Sequence, residues 1–102
     1  MPTIEEALLY LGIDYADEMV TANVQRALNA AQKVLHGAVG EAAEEVLPDD
    51  ARIDSLVLIY ADDLYSEHGV SAKVSAATRR IVEDMELQLR LEYRRAKEAT
   101  AT

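Results

Sequence analysis

The chain has 102 residues, with no cysteine, tryptophan or phenylalanine, and a formal net charge of −9 at pH 7. This length allows one small domain, and because 17 residues are alanine, few large apolar side chains remain to build its core. The composition excludes disulfide bonds, thiol catalysis and a cysteine-based zinc site.

The charge is distributed unevenly along the chain. Residues 1–70 carry 14 acidic and three basic side chains, a net of −11, whereas residues 71–102 carry five acidic and seven basic side chains, a net of +2. The acidic body argues against nucleic-acid binding, because that affinity rests mainly on cations that neutralise phosphates. No stretch approaches the roughly 18 apolar residues of a membrane span, and no signal-peptide pattern opens the chain, so we expect a soluble, unprocessed protein.

The first predicted element is a short amphipathic helix. Thr3 and Glu6 form the T-x-x-E pattern of a capping box, and Gly12 supplies a C-terminal stop. Apolar residues recur between them at helical spacing: Ile4, Ala7, Leu8 and Leu11.

A second, longer helix is predicted to follow. Asp14 is its expected N-cap, with Asp17 and Glu18 favourably placed in the first turn against the helix dipole. The helix is expected to end around Gly37 or Gly40. It has one long apolar stripe, formed by Val20, Val24, Ala27, Leu28, Ala31 and Leu35.

The segment EAAEEVLPDD, residues 41–50, reads as an acidic connector. Pro48 stops any preceding helix, and Asp49 or Asp50 caps the following one. The helix that follows is the third predicted element. Its run LVLIYA also fits a buried strand, but the long helical pattern around this run favours a helix at the centre of a bundle. Its apolar residues are Ile53, Leu56, Val57, Leu58, Ile59, Tyr60 and Leu64.

A fourth element is predicted to be capped by Ser71 or Ser75. Its segment MELQLRLEY, residues 85–93, alternates strictly between apolar and polar residues, as a half-buried strand does, yet it consists of strong helix formers. In a helix, Leu87 and Leu91 lie opposite the core stripe; they are either ordinary surface residues or a contact for another subunit. The predicted core stripe is Val74, Thr78, Ile81, Met85, Leu89 and Ala96.

The elements together predict an all-α bundle of about four helices. Residues 1–70 supply a three-helix core, and residues 71–102 a C-terminal helix of the same domain that serves as an interface element. Within that helix, the candidate inter-subunit patch is Leu87 with Leu91. The candidate contacts with an acidic neighbour are Arg90, Arg94, Arg95 and Lys97.

The order of these elements resembles the small head-tail connector (head-completion adaptor) proteins of long-tailed phages. The resemblance covers residues 3–67. It rests on the opening pattern T-x-E-E-x-x-x-x-L-x-I-D, which runs here from Thr3 to Asp14, and on a Pro-Asp start to the central helix at Pro48 and Asp49. Residues 71–102 form a longer and more charged helix than the family pattern.

The resemblance implies a structural virion protein. The sequence also has no G-x-S-x-G motif and no Gly-rich phosphate loop, so we expect no enzymatic activity, cofactor or metal. Proteins of this family form a ring, usually twelve-fold, beneath the portal protein at the neck between head and tail. They also contact the next head-completion or tail protein, and DNA passes through the ring without specific binding. We therefore expect assembly in the host cytoplasm, a place in the virion, and no association with a membrane.

One alternative is a small regulator that binds DNA or protein through a degenerate helix-turn-helix at residues 60–81. Residues 69–71, Gly-Val-Ser, followed by Arg79 and Arg80 are similar to that motif. However, Tyr65 occupies the position where the motif needs a small residue so that its two helices can approach. The acidic body also opposes DNA binding.

A second alternative is a helical metal-dependent nucleotide pyrophosphohydrolase. Glu41 and Glu44 supply the first E-x-x-E half of its magnesium site, but no E-x-x-D follows, and the nearest substitute, residues 62–67, has the wrong spacing. An acidic connector with solvated helix faces explains these residues better. His36 and His68 lie near predicted helix ends, where the helix dipole favours a histidine.

Overall fold

The computed structural model describes residues 1–66 and 76–100. These residues form five α-helices and no strand: α1 (Ile4–Tyr10), α2 (Glu18–Ala38), α3 (Ala43–Val46), α4 (Ala51–Ser66) and α5 (Ala76–Thr100). The predicted all-α bundle is confirmed. The four expected helices correspond to α1, α2, α4 and α5, and α3 is an additional single turn inside the expected connector. The predicted caps Ser71 and Ser75, and Val74 of the predicted stripe, lie outside the described residues.

Helix α1 begins and ends as the sequence predicts. The Thr3 backbone N–H donates to the Glu6 carboxylate at 3.0 Å, and the Glu6 N–H donates to the Thr3 hydroxyl at 3.1 Å. Gly12 follows the helix with φ +74°, which glycine adopts without strain. The N–H groups of Gly12 and Ile13 donate back to carbonyls in the last turn at 3.1 and 3.0 Å, which is the Schellman arrangement.

Helix α2 is capped by Asp17, so the prediction of Asp14 is wrong. The Asp17 carboxylate accepts from the Val20 N–H at 2.8 Å. Ile13 is held against α1 by its backbone hydrogen bond and packs on the core, so the chain needs several more residues to reach the axis of α2. The helix ends at Ala38, within the predicted range.

The core lies between α2 and α4 and is completed by α1, α3 and α5. Asp50 caps α4, since its carboxylate accepts from the Arg52 N–H at 3.0 Å. The apolar stripes predicted for α2 and α4 supply most of the buried side chains. Buried hydrophobic residues are Ala7, Val24, Ala27, Leu28, Ala31, Leu35, Val39, Ala43, Ile53, Leu56, Val57, Ala61 and Leu89.

Helix α5 contains the alternating segment 85–93 in helical form. Leu89 is fully buried, but Ile81 is 56% exposed, so its assignment to the core stripe is wrong. Ile81 lies about 80° around the helix from Leu89, whereas Val82 lies about 20° away and packs against the core instead. Thr78 is also exposed, contrary to the prediction, because it lies in the first turn of α5, away from the packed middle of the helix.

Helix α3 was not predicted. It is entered through Ala42, whose φ of +55° is unusual for a residue other than glycine. Pro48 follows two residues after its end, in agreement with a stop at this position. Across residues 1–66 and 76–100, the helices lack the combination of length and apolar sequence needed to pass through a lipid bilayer.

Candidate interaction surface on the C-terminal helix

The outer face of α5 exposes two large apolar residues. Leu87 is 53% exposed and Leu91 is 52% exposed, although Leu89 between them is fully buried. Residues four apart are neighbours on one helix face, and each of these leucines lies about 160° around the helix from Leu89. The helix therefore has one buried side and one apolar patch on the opposite side.

Three of the four predicted interface cations lie together. Arg90, Arg94 and Lys97 line an open groove with a volume of about 530 Å³. Arg95 is not part of the groove, because it follows Arg94 and therefore points about 100° further around the helix. The other groove residues are Val39, Tyr93 and Glu98. Cations and apolar side chains are thus combined in one concave surface.

The groove exists because α5 approaches the end of α2 closely. A Cβ atom added to Gly40 would lie 2.4 Å from the Tyr93 ring, so only glycine leaves room for that ring. The Tyr93 hydroxyl donates to the Glu41 carbonyl at 2.8 Å and holds the ring in place. The sequence analysis did not identify the groove, because Val39 follows the end of α2 whereas the other lining residues belong to α5. Gly40 is the one residue whose type indicates the close approach.

Tyr60 and Glu86 connect α4 to the side of α5 next to the groove. The Tyr60 hydroxyl donates to the Glu86 carboxylate. Partial burial, followed by this hydrogen bond, raises the pKa of Tyr60, so the phenol is neutral at physiological pH. The Nε–H of Arg90 donates to the Glu86 backbone carbonyl at 3.4 Å. The contact between Tyr60 and Glu86 restrains the rotation of α5 about its axis, whereas the hydrogen bond of Arg90 lies within α5 and orients the Arg90 side chain.

Arg52 makes a second polar connection between α4 and α5. Its guanidinium donates to both carboxylate oxygens of Asp50, at 2.9 and 2.6 Å. It also donates to Gln88 at 2.9 Å and to the Glu92 carboxylate. The hydrogen bond from Arg52 is the largest cause that lowers the pKa of Asp50, and the same pairing raises the pKa of Arg52.

Glu44 of the E-x-x-E pattern is engaged in a structural contact. Its carboxylate accepts from Gln32 at 2.8 Å and lies 2.8 Å from the His36 Nε2, which joins α3 to the last turns of α2. Burial acts to raise the pKa of Glu44, but hydrogen bonds from its own N–H, Gln32 and His36 outweigh burial and lower it. In the part of the chain that the structure describes, no three imidazole or carboxylate groups are placed to hold a metal ion.

A second exposed apolar surface lies at the start of α2. Tyr15 is 82% exposed and Met19 is 73% exposed. The same six residues, 14–19, include three acidic ones, Asp14, Asp17 and Glu18, all of which are exposed. We call residues 14–19 the acidic knob. Sequence reasoning recognised these acids as helix-start residues only and did not identify Tyr15 and Met19 as a surface.

The turn of the helix-turn-helix alternative, residues 69–71, and the second histidine, His68, lie outside the described residues. Arg79 and Arg80 are exposed in the first turns of α5. Comparison of the chain with protein-family models, curated proteins and solved structures found no significant match.

Proposed function

We propose that this protein is a subunit of the connector ring that joins the DNA-filled head of a long-tailed phage to its tail. The observation that carries the proposal is the two-sided character of α5: Leu89 is buried in the subunit, while Leu87 and Leu91 face outward. A helix with apolar residues on both sides suits a position between its own domain and a neighbouring subunit. The resemblance over residues 3–67 supplies the identity of the assembly.

The charge distribution supports a role around passing DNA. Residues 1–70 carry a net charge of −11, so a ring lined by this part of each subunit repels phosphates and lets DNA slide without specific binding. Residues 71–102 have the opposite net charge, +2, which suits contact with an acidic protein surface. In this proposal the protein has no enzymatic activity and works in the virion neck, in contact with the portal protein and with the next head-completion or tail protein.

The test is affinity purification from cells that produce the phage or prophage encoding this chain, followed by mass spectrometry of the bound proteins. The tag belongs at the C-terminus, because the Met1 amino group pairs with Asp54 at 3.2 Å. We expect recovery of a portal protein together with head-completion or tail proteins. Recovery of DNA or of a single regulatory protein, with no portal or tail protein, would refute the proposal.

The matched variant is Leu87→Glu with Leu91→Glu. Both positions are about half exposed, so the monomer should keep its helical circular dichroism and its free energy of unfolding within about 0.5 kcal/mol. The same variant should fail to assemble, and the portal and tail partners should be lost with the assembly, because two charges would then enter an apolar interface between subunits. If the variant unfolds, or if it retains every partner, the outer face of α5 is not the interface.

A further inference from the structure

We propose that the groove of α5 binds the acidic knob, residues 14–19, of a second copy of this chain. The inference rests on the proposed function, because it identifies which surface of the neighbouring subunit meets α5. Each copy then presents one groove and one acidic knob, and every contact joins two different surfaces.

The groove has the chemistry to receive an acidic segment that also carries apolar side chains. Arg90, Arg94 and Lys97 supply positive charge along one wall, and Glu98 is the one acid among the lining residues. The apolar part of the surface is chiefly the Tyr93 ring, since Val39 lines the groove but is itself buried. Arginine offers several donors in a planar fork that matches a carboxylate, and its guanidinium sheds water more readily than an ammonium group does.

The acidic knob has the complementary chemistry. Tyr15 and Met19 are the large apolar side chains, and both are mostly exposed. The side chains of Asp14 and Glu18 form no ion pair or hydrogen bond within residues 1–66 and 76–100, and one carboxylate oxygen of Asp17 accepts from the Val20 N–H. Exposed aromatic and methionine side chains beside charges are typical of the centre and rim of a protein interface.

The two surfaces cannot meet within one molecule. The acidic knob lies at the start of α2, and Val39 of the groove lies at its end, 21 helical residues later. At 1.5 Å per residue the separation is about 30 Å. The contact must therefore join separate copies, and a contact between two different surfaces generates a closed ring or an open filament, as a connector ring requires.

A cross-linking experiment tests the contact directly, because the chain has no cysteine of its own. The test protein carries Tyr15→Cys and Glu98→Cys, one in the acidic knob and one in the groove. Under mild oxidation at high protein concentration, we expect disulfide-linked dimers and higher oligomers. The matched control carries Asp63→Cys with Glu98→Cys, since Asp63 is exposed on α4 and belongs to neither surface. We expect cross-linking in the control to be slower by about tenfold.

Charge exchange then tests whether electrostatic pairing drives the contact. In the cross-linking background, Arg90→Glu with Arg94→Glu should slow oligomer formation about tenfold, and so should Asp14→Lys with Glu18→Lys. Combining all four substitutions in one chain should restore the rate, because the positive and negative surfaces are then exchanged. Circular dichroism of each variant checks that the helices remain formed.

Equal rates in the test and control proteins, or no rescue by the combined variant, would overturn the proposed contact. These outcomes are separable from failure of the proposed function. Cross-linking at the groove without recovery of a portal protein would identify a self-assembling protein of another kind. Recovery of the portal protein without cross-linking would support the connector function and show that the groove does not bind a second copy of the chain.

Discussion

At the scale of single residues, two glycines at the end of α2 have opposite roles. Gly40 lies against the Tyr93 ring, so the Cβ of Gly40→Ala must displace the ring from the Glu41 carbonyl. We expect a loss of about 1–3 kcal/mol in the free energy of unfolding. Gly37 is exposed inside α2 with no atom within 4 Å of an added Cβ, so Gly37→Ala should gain about 0.5–1 kcal/mol. Urea denaturation measures both changes, and a loss of the same size at both positions would contradict this account.

A second residue-scale prediction concerns Asp50 and pH. The pKa of Asp50 is lowered in the folded state, chiefly by the hydrogen bond from Arg52. Its contribution to stability is therefore fully present above the usual value of 3.8 and is lost as pH falls through the lowered pKa. Near neutral pH, Asp50→Ala should cost about 1–2 kcal/mol, because it removes both the helix cap and the partner of Arg52.

The difference between wild type and Asp50→Ala should shrink in acid, as measured by chemical denaturation at neutral pH and below about pH 3. Asp49→Ala is the matched control, since Asp49 is exposed and lies next to Asp50 in the chain. It should change the free energy of unfolding by less than about 0.5 kcal/mol at either pH. An Asp50 effect that stays constant with pH would show that the ionised carboxylate is not the source of the stability.

At the scale of the helix, two successive leucines of the alternating segment 85–93 differ in burial. Leu89 is fully buried and Leu91 is about half exposed. Leu89→Ala should cost about 2–5 kcal/mol, whereas Leu91→Ala should change stability by less than about 0.5 kcal/mol. Thermal or urea unfolding decides between them. Similar losses from both substitutions would mean that the two leucines share one buried face, as they would in a strand.

Element boundaries were predictable wherever a local signal was sufficient. Thr3 and Pro48 act on their immediate neighbours, and their roles follow from sequence alone. Asp17 displaced Asp14 as a cap because the path of the chain after Gly12 decides where α2 starts. The burial of Ile81 was predicted wrongly because a residue at the edge of an apolar stripe is buried only where a neighbouring helix covers it, and spacing alone does not show this.

The candidate surface was predictable only in part, for the same reason. Leu87 and Leu91 are identified by rotation around one helix, which the sequence contains. The groove combines Val39, which follows α2, with Tyr93 of α5, and α3 is joined to α2 by the contacts of Glu44. Such long-range contacts arise from packing and have no local pattern.

At the scale of the whole molecule, shape and charge set what the surface can do. The molecule measures 48 × 30 × 18 Å, and a thin molecule of this size cannot bury all of its large apolar side chains. The exposed knob residues Tyr15 and Met19 follow from this limit. In the proposed ring, contact with other copies would bury such side chains.

The net charge of −9 predicts no measurable affinity for duplex DNA at moderate salt. Fluorescence anisotropy of a labelled duplex measures this directly, and a denatured sample of the protein serves as the control for non-specific effects. Saturable binding whose equilibrium constant falls linearly with salt concentration on a plot of the two logarithms would favour the helix-turn-helix alternative, with Arg79 and Arg80 as the candidate phosphate contacts.

The position of Tyr93 on the surface of the groove has an optical consequence. The chain has five tyrosines and no tryptophan, so tyrosine alone produces its near-ultraviolet absorption and emission. Tyr93 lies among the groove residues, and Tyr15 lies in the acidic knob. Occupation of the groove by another copy would change the surroundings of both rings at once, so the unmodified protein contains its own spectroscopic probes of assembly.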